Sequence, residues 1–131
     1  MRSLDDKLRA VLRLHPEIHL CLLFGSRASS SSESSSDVDI AVAGTQALSP
    51  DMRLALIEAF SSATNREVDL VDLLADAGPI LRNALSTGVV VQNADKLLYA
   101  KIISRMLFLE ADVMPYHYRI LRERRERFLN G

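Results

Sequence analysis

The sequence predicts a single α/β domain, because apolar runs typical of strands alternate with segments in which apolar residues recur at helical spacing. With 131 residues, the chain is long enough to bury one hydrophobic core and too short for two. Its 48% hydrophobic and 25% charged residues are ordinary for a globular protein. We therefore expect one domain over residues 1–131, with a core at about 18–91 and C-terminal helices at about 94–129.

Three elements are predicted in the first third of the chain. Ser3, with Asp6 three residues later, predicts the start of a helix that Pro16 ends. The run at 18–24 is apolar on nearly both faces, which predicts a central strand. Residues 37–43 predict a second strand.

The rest of the chain continues the alternation of helix and strand. Ser49 followed by Pro50 predicts the start of a second helix, because serine is a good N-cap and proline fits the first helical position. The remaining predicted elements are a strand in "REVDLVDL", a short helix from Pro79 to about Leu85, a short strand at 89–91 and helix from about Ala94 to Leu129, interrupted or kinked at Pro115.

Composition and charge exclude several classes of protein. A net charge of −1 gives no general attraction for a polyanion, so we expect no direct binding of nucleic acid. The single cysteine, Cys21, excludes an internal disulfide and fits a reduced compartment. The N-terminus lacks the apolar region of a signal peptide, and no apolar stretch reaches the ~20 residues that cross a bilayer. We therefore expect a cytoplasmic protein without a membrane segment.

The stretch "LFGSRASSSSESSSDVDIAV", residues 22–41, contains two aspartates on a predicted strand. Because successive strand side chains point to opposite faces, Asp37 and Asp39 share one face while Val38 and Ile40 enter the core. Two neighbouring carboxylates repel each other unless a cation lies between them. Mg²⁺, which takes oxygen ligands and retains substrate phosphates, is the natural cation for such a pair.

The residues that follow the first predicted strand are candidates for binding a phosphate. Gly25 and Ser26 offer a close backbone approach, amide N–H groups and a hydroxyl to a phosphate held by the same metal. Arg27 is a candidate for contact with a triphosphate, and its alternative is an exposed arginine in a surface ion pair. The serine tract that follows is typical of a loop between two strands.

The segment "EVDLVDL" adds a possible third carboxylate. Alternation places Asp69 and Asp72 on opposite faces, so only one of them can join the first pair. Asp69 is flanked by apolar residues as Asp39 is, whereas Asp72 lies nearer the strand end and suits a structural role. Three carboxylates around two Mg²⁺ ions would hold a nucleoside triphosphate for displacement at its α-phosphorus, with Asp69 positioning and deprotonating the attacking hydroxyl.

The combination of Gly25-Ser26, ten intervening residues, Asp37-x-Asp39 and a later Val-Asp-Leu around Asp69 resembles the minimal nucleotidyltransferase (MNT) domains of the DNA polymerase β-like superfamily. The resemblance covers roughly residues 18–91. It implies a nucleotidyltransferase fold with a small mixed sheet flanked by helices, and Mg²⁺-dependent use of ATP. Small MNT proteins are often antitoxins paired with HEPN-domain toxins. The resemblance therefore implies a hetero-oligomer in which AMP is transferred to a tyrosine of the HEPN partner, silencing its RNase activity.

The size of the chain bears on the acceptor of the nucleotide. Only about 35 residues of helix follow the last predicted strand, which is little from which to build walls around a small acceptor. A protein acceptor brings its own structure to an open cleft. Two alternatives remain: a non-catalytic antitoxin that covers its toxin, and a small-molecule nucleotidyltransferase completed by oligomerisation.

The C-terminal segment "YRILRERRERF" has five arginines against two glutamates. It forms either a solvated helix face or a docking surface for an acidic partner. If the segment docks the partner, changing Arg122 and Arg125 to glutamate weakens association more at low than at high salt, because added ions screen surface charges. Titration calorimetry at two salt concentrations measures this, and unchanged binding would leave the segment as a solvated face.

Overall fold

A computed structural model describes residues 3–24, 37–76, 78–109 and 111. The helices and strands, in chain order, are α1 (Leu4–Arg13), β1 (Ile18–Phe24), β2 (Val38–Gly44), α2 (Pro50–Thr64), β3 (Val68–Asp72), α3 (Pro79–Thr87), β4 (Val89–Asn93) and α4, described over residues 96–109. Within the described residues, each predicted helix and strand is present, and most of the ends described lie within two residues of the predicted ones. The predicted interruption at Pro115 and the helix beyond it lie outside the described residues. Within the described ranges, no helix is both long enough and apolar enough to cross a membrane.

Two serine caps fix where the first two helices begin. The Ser3 side chain accepts a hydrogen bond from the Asp6 N–H at 3.2 Å, and the Ser49 side chain accepts one from the Met52 N–H at 3.1 Å. Each cap supplies an acceptor to an N–H group that has no partner within the helix. Helix α2 ends at Asn65, whose φ of 57° is left-handed and redirects the chain towards β3.

The four strands form one mixed sheet in the order β3-β2-β1-β4. Strand β1 pairs antiparallel with both β2 and β4, and β2 pairs parallel with β3. The prediction of a central strand at 18–24 is therefore confirmed. Every residue of β1 except His19 is buried, as expected for a strand with neighbours on both sides and helices on both faces.

The core consists of two clusters of buried side chains, and the alternation of the strands assigns them to opposite faces of the sheet. The first cluster joins α1 and α2 to the even-numbered positions of β2 and β3. The second joins α3 and α4 to the odd-numbered positions of the same strands. Cys21 belongs to the first cluster, where burial, and to a smaller extent the charge of Asp5, raises its pKa to about 12. Its thiol is therefore a packing group.

Asp72, at the end of β3, is a buried carboxylate with a structural role, as its position near the strand end predicted. Its side chain is 1% exposed. One oxygen accepts the Leu48 N–H at 2.7 Å, and the other accepts the Leu74 N–H at 3.0 Å. The carboxylate thus holds the segment that enters α2 against the turn that leaves β3.

Replacing Asp72 by alanine leaves two backbone N–H groups without their acceptor. We expect Asp72→Ala to lower the free energy of unfolding by about 1–3 kcal/mol, because an unsatisfied buried donor keeps its desolvation cost. Urea denaturation measures the change. Glu58→Ala, at an exposed position of α2, is the matched control and should stay within about 0.5 kcal/mol of the unmodified protein. Equal losses in both variants would contradict the role assigned to Asp72.

Candidate active site

The first two candidate residues lie at the start of β2. Val38 and Ile40 are completely buried in the first core cluster, so the intervening Asp39 points to the other face of the sheet. Asp37, two residues earlier, is exposed, and Asp39 is half-buried. On β1, Phe24 is the partner of Asp39. The site therefore lies at the end of the sheet where β1 stops and β2 begins.

The third candidate, Asp69, lies beside Asp39 on the neighbouring strand. The two residues are direct partners in the parallel pairing of β2 with β3. Adjacent strands lie about 4.8 Å apart, and side chains of paired residues point to the same face. Asp69 is exposed. Asp69 therefore lies beside Asp39, whereas Asp72 points into the protein and accepts hydrogen bonds from backbone amides. The role of Asp69 stays a prediction.

The three carboxylates affect one another electrostatically. Partial burial raises the pKa of Asp39 above its ordinary value of 3.8, and the charge of Asp69, a hydrogen bond with Asp69 and the charge of Asp37 raise it further. Each cause acts against the negative charge on Asp39. A cation bound among these oxygens would counteract the two neighbouring negative charges and favour the ionised form of Asp39.

The donor set fits a magnesium ion that shares its ligands with a substrate. Within the ranges that the structure describes, no three acidic, histidine or cysteine side chains close around a single point as a ready-made metal cage. Mg²⁺ does not require such a cage, because proteins usually bind it through one or two carboxylates together with phosphate oxygens and water. The Asp39–Asp69 pair supplies hard oxygen donors of this kind, and Asp37 adds charge beside them.

Other predicted residues lie beyond what the structure describes. Gly25, Ser26 and Arg27, the predicted phosphate contacts, fall outside the described residues, and so does the arginine-rich segment at 118–128. Phe24, the last described residue before the three, is the partner of Asp39. Their roles stay predictions.

Two residues that were not predicted contact the strand that carries Asp69. Arg53, on α2, donates to the Leu70 carbonyl at 2.9 Å and forms an ion pair with Asp76 at 3.3 Å. Asp76 also accepts the Asp72 N–H at 2.8 Å. No pattern in the sequence indicates these contacts. Arg53 and Asp76 are 23 positions apart, and the sequence identifies Arg53 only as a polar residue on a predicted helix.

The described fold is a mixed sheet with helices on both faces, and it places two carboxylates side by side on adjacent parallel strands. The family described as "Polymerase beta, Nucleotidyltransferase" matches residues 6–97. This chain belongs to that family. The resemblance drawn from the sequence is confirmed, and so is the α/β fold with its small mixed sheet.

Comparison with individual proteins narrows the relationship. The chain is 31% identical over 112 residues to the protein adenylyltransferase MntA of Shewanella oneidensis, which covers 82% of this chain and 81% of that protein. It is also similar to a solved toxin-antitoxin structure with AMP-PNP, with a TM-score of 0.70 and 28% identity over 89% of this chain and 98% of the other. A third match is the MNT antitoxin in complex with the tri-AMPylated HEPN toxin of S. oneidensis, with a TM-score of 0.66 and 27% identity over 90% of this chain and 96% of the other.

The raised pKa of Asp39 predicts how stability responds to pH in an Asp39→Asn variant. A carboxyl whose pKa is higher in the folded than in the unfolded protein disfavours folding once it ionises. We therefore expect Asp39→Asn to match or exceed the unmodified protein in free energy of unfolding at pH 7. The difference in free energy of unfolding between the variant and the unmodified protein should shrink as the pH falls towards and through 3.8, the ordinary pKa of the carboxyl.

Urea denaturation at pH 3.5 and pH 7 measures both values. The control is Asp51→Asn, which removes an exposed carboxylate from the first turn of α2. That variant should gain nothing at pH 7, because a negative charge near a helix N-terminus is favourable. At each pH, the free energy of unfolding of Asp39→Asn is compared with that of the unmodified protein. If this difference is less favourable to the variant at pH 7 than at pH 3.5, the repulsion assigned to the site is contradicted.

Proposed function

We propose that this protein is an antitoxin nucleotidyltransferase that transfers AMP from ATP to a tyrosine hydroxyl of a cognate HEPN toxin and thereby neutralises it. The observation that carries the proposal is the direct pairing of Asp39 with Asp69 on adjacent parallel strands. Partial burial and the neighbouring charge of Asp69 both raise the pKa of Asp39. Such a pair disfavours folding, so it suits a site that a cation completes.

The relatives support the chemistry and the kind of acceptor. MntA is named a protein adenylyltransferase, and the HEPN toxin in one matching complex is tri-AMPylated. The match to a toxin-antitoxin complex with AMP-PNP supports an adenine nucleotide as substrate. These similarities extend over more than four fifths of this chain, so they include both strands that carry the acidic residues.

The proposed reaction is a displacement at the α-phosphorus of ATP. The tyrosine oxygen forms a bond to that phosphorus, and the bond from the same phosphorus to the bridging oxygen of the β-phosphate breaks. Pyrophosphate leaves with the electron pair of the broken bond. Asp69 accepts the proton of the tyrosine hydroxyl, a role for which an exposed carboxylate at the edge of the site is suited.

Asp37, Asp39 and Asp69 are the proposed ligands for Mg²⁺. When bound there, Mg²⁺ would supply positive charge to the triphosphate and to the departing pyrophosphate. Gly25, Ser26 and Arg27 are proposed to contact the phosphates from the segment that follows β1. We further propose that residues 1–131 act as one domain and that the reaction takes place in the cytoplasm, where ATP is available.

The exposure of the carboxylates supports a protein acceptor. Asp37 and Asp69 are both exposed on the surface formed by the described residues, where a side chain of a docked protein can reach them. A tyrosine on a partner brings its own surroundings and needs no enclosing pocket from this chain. This is the physical reason to prefer a protein substrate over a small molecule.

Asp69→Asn tests the proposal, because it keeps the size of the side chain while removing its charge and basicity. The complex of this chain with its HEPN partner is incubated with α-labelled ATP and Mg²⁺, and label on the partner is counted. We expect transfer to fall by about 10²–10⁴-fold, the effect of losing a positioned general base. Asp51→Asn, which removes a charge away from the site, should transfer label at the normal rate.

The same variant separates catalysis from simple covering of the toxin. Association with the partner should persist, because the substitution removes one charge and no apolar contact surface. Cells that produce the toxin with Asp69→Asn should therefore lose protection at matched protein levels. Full protection by sub-stoichiometric amounts of Asp69→Asn, or undiminished labelling, would refute the catalytic role.

A further inference from the structure

Two side chains from outside the sheet bind the outer edge of β3, at Leu70 and Asp72. In the pairing with β2, the Glu67 carbonyl accepts the Val38 N–H and the Leu73 N–H donates to the Val42 carbonyl. Along a parallel strand, the N–H and C=O groups of successive residues point to opposite edges. The even-numbered residues of β3 therefore direct these groups away from β2. No further strand of the described sheet lies there, because β3 is its last strand. The Leu70 carbonyl and the Asp72 N–H therefore need partners from outside the sheet.

Arg53 and Asp76 supply those partners. The Nη2 atom of Arg53 donates to the Leu70 carbonyl at 2.9 Å and to Asp76 Oδ2 at 3.3 Å. Asp76 Oδ2 also accepts the Asp72 N–H at 2.8 Å. The two side chains are 35% and 32% exposed, so they contact the strand from a partly shielded position. One ion pair thus attaches β3 to α2 at two successive edge positions.

Helix α2, to which β3 is attached, is itself held in place by its cap and by core packing. Leu56 and Phe60 anchor the helix in the first core cluster and are completely buried. The Ser49 cap begins the helix, and the Arg53 N–H donates to the Ser49 carbonyl at 2.9 Å in its first turn. The position of the Arg53 backbone is therefore set by core packing and by the helix cap, without a contribution from its own side chain.

We propose that Arg53, held by Asp76, is a positioning residue that fixes β3 against β2 and so sets the separation of the Asp39 and Asp69 carboxylates. The proposal rests on the function proposed above. Asp39 and Asp69 are direct partners on adjacent strands, and two ionised carboxylates in that position repel each other. β3 has a hydrogen-bonded strand on only one side among the described residues, so it is the strand free to shift. The hydrogen bond from Arg53 ties the Leu70 carbonyl, one residue after Asp69, to the packed helix α2. This attachment restrains β3 from shifting relative to β2 next to the carboxylates.

The opposite edge of the sheet provides a matched control. Arg9, on α1, donates through Nε to the Val91 carbonyl of β4 at 3.2 Å and forms ion pairs with Asp5 and Asp6. It is therefore also an arginine that binds a carbonyl of an edge strand from a neighbouring helix. Strands β2 and β1 separate β4 from β3, so this contact cannot set the spacing of the carboxylates. If the arginines serve only to stabilise edges, substitutions at both positions should have the same consequences.

The experiment compares Arg53→Met, Arg53→Lys and Arg9→Met in the full-length chain. The first readout is the Mg²⁺ concentration that gives half of the thermal stabilisation by a non-hydrolysable ATP analogue, which does not require transfer. The second is the transfer of label to the HEPN partner, with kcat separated from the KM for ATP. Urea denaturation of each variant without ligand reports the loss of stability.

We expect Arg53→Met to raise the half-stabilising Mg²⁺ concentration by about 10-fold or more and to lower kcat by about 10–100-fold, as is usual when a residue that orients metal ligands is removed. Arg53→Lys should recover most of both effects, because its ammonium can donate to the same carbonyl and carboxylate. Arg9→Met should lose comparable stability and keep the Mg²⁺ midpoint of the unmodified protein.

Equal Mg²⁺ midpoints in Arg53→Met and Arg9→Met would overturn the proposal, whatever their stabilities. If Arg53→Met does not fold, Asp76→Asn takes its place, because asparagine keeps an acceptor for the Asp72 N–H and loses only the ionic contact with Arg53. That variant should raise the midpoint in the same direction, and an unchanged midpoint would equally overturn the proposal. An unmodified protein that binds Mg²⁺ and nucleotide but transfers no label would refute the proposed function and leave the positioning role to be judged by the midpoints.

Discussion

The parallel, in-register pairing of β2 with β3 is the interaction on which the rest of the site depends. It makes Asp39 and Asp69 direct neighbours, although 30 positions separate them in the sequence. A shift of one residue in this register would turn Asp69 towards the first core cluster and leave Asp39 beside an apolar side chain. The buried positions on both strands specify the register, since Val38, Ile40 and Leu70 belong to one core cluster and Ala41 and Val71 to the other. The packing of the core therefore places the carboxylates.

On the face of the sheet that carries the carboxylates, the side chains change from small and buried to charged and exposed along the strand. On β2 this row of side chains runs from Ala43 through Ala41, both completely buried in the second core cluster, to the half-buried Asp39 and the exposed Asp37. Small residues let α3 and α4 approach the sheet closely, and the carboxylates occur where the row reaches the surface. The cost of charge repulsion is thus confined to one end of a sheet whose other positions are well buried. Proteins commonly tolerate such local destabilisation at functional sites, offset by packing elsewhere.

Much of this arrangement was predictable from local sequence. Alternation alone assigns Asp37 and Asp39 to one face, and it separates Asp69 from Asp72. The mixed sheet was expected only from the resemblance to a family, because periodicity does not reveal which strands pair or in which direction. The contacts of Arg53 were not predictable, since they depend on how α2 packs against the edge of β3. The roles proposed for Gly25, Ser26 and Arg27 stay predictions from the sequence pattern, because these residues lie outside the described part of the chain.

The arginines at the two edges of the sheet have a consequence for self-association. A strand at the edge of a sheet offers free carbonyl and N–H groups that a strand from another molecule can pair with, which leads to open-ended aggregation. Here Arg53 occupies the Leu70 carbonyl on β3, and Arg9 occupies the Val91 carbonyl on β4. Each arginine also places a bulky charged group beside the strand, where an incoming backbone would have to displace it. Both edges of the described sheet thus carry a charged side chain that disfavours pairing with a strand from another molecule.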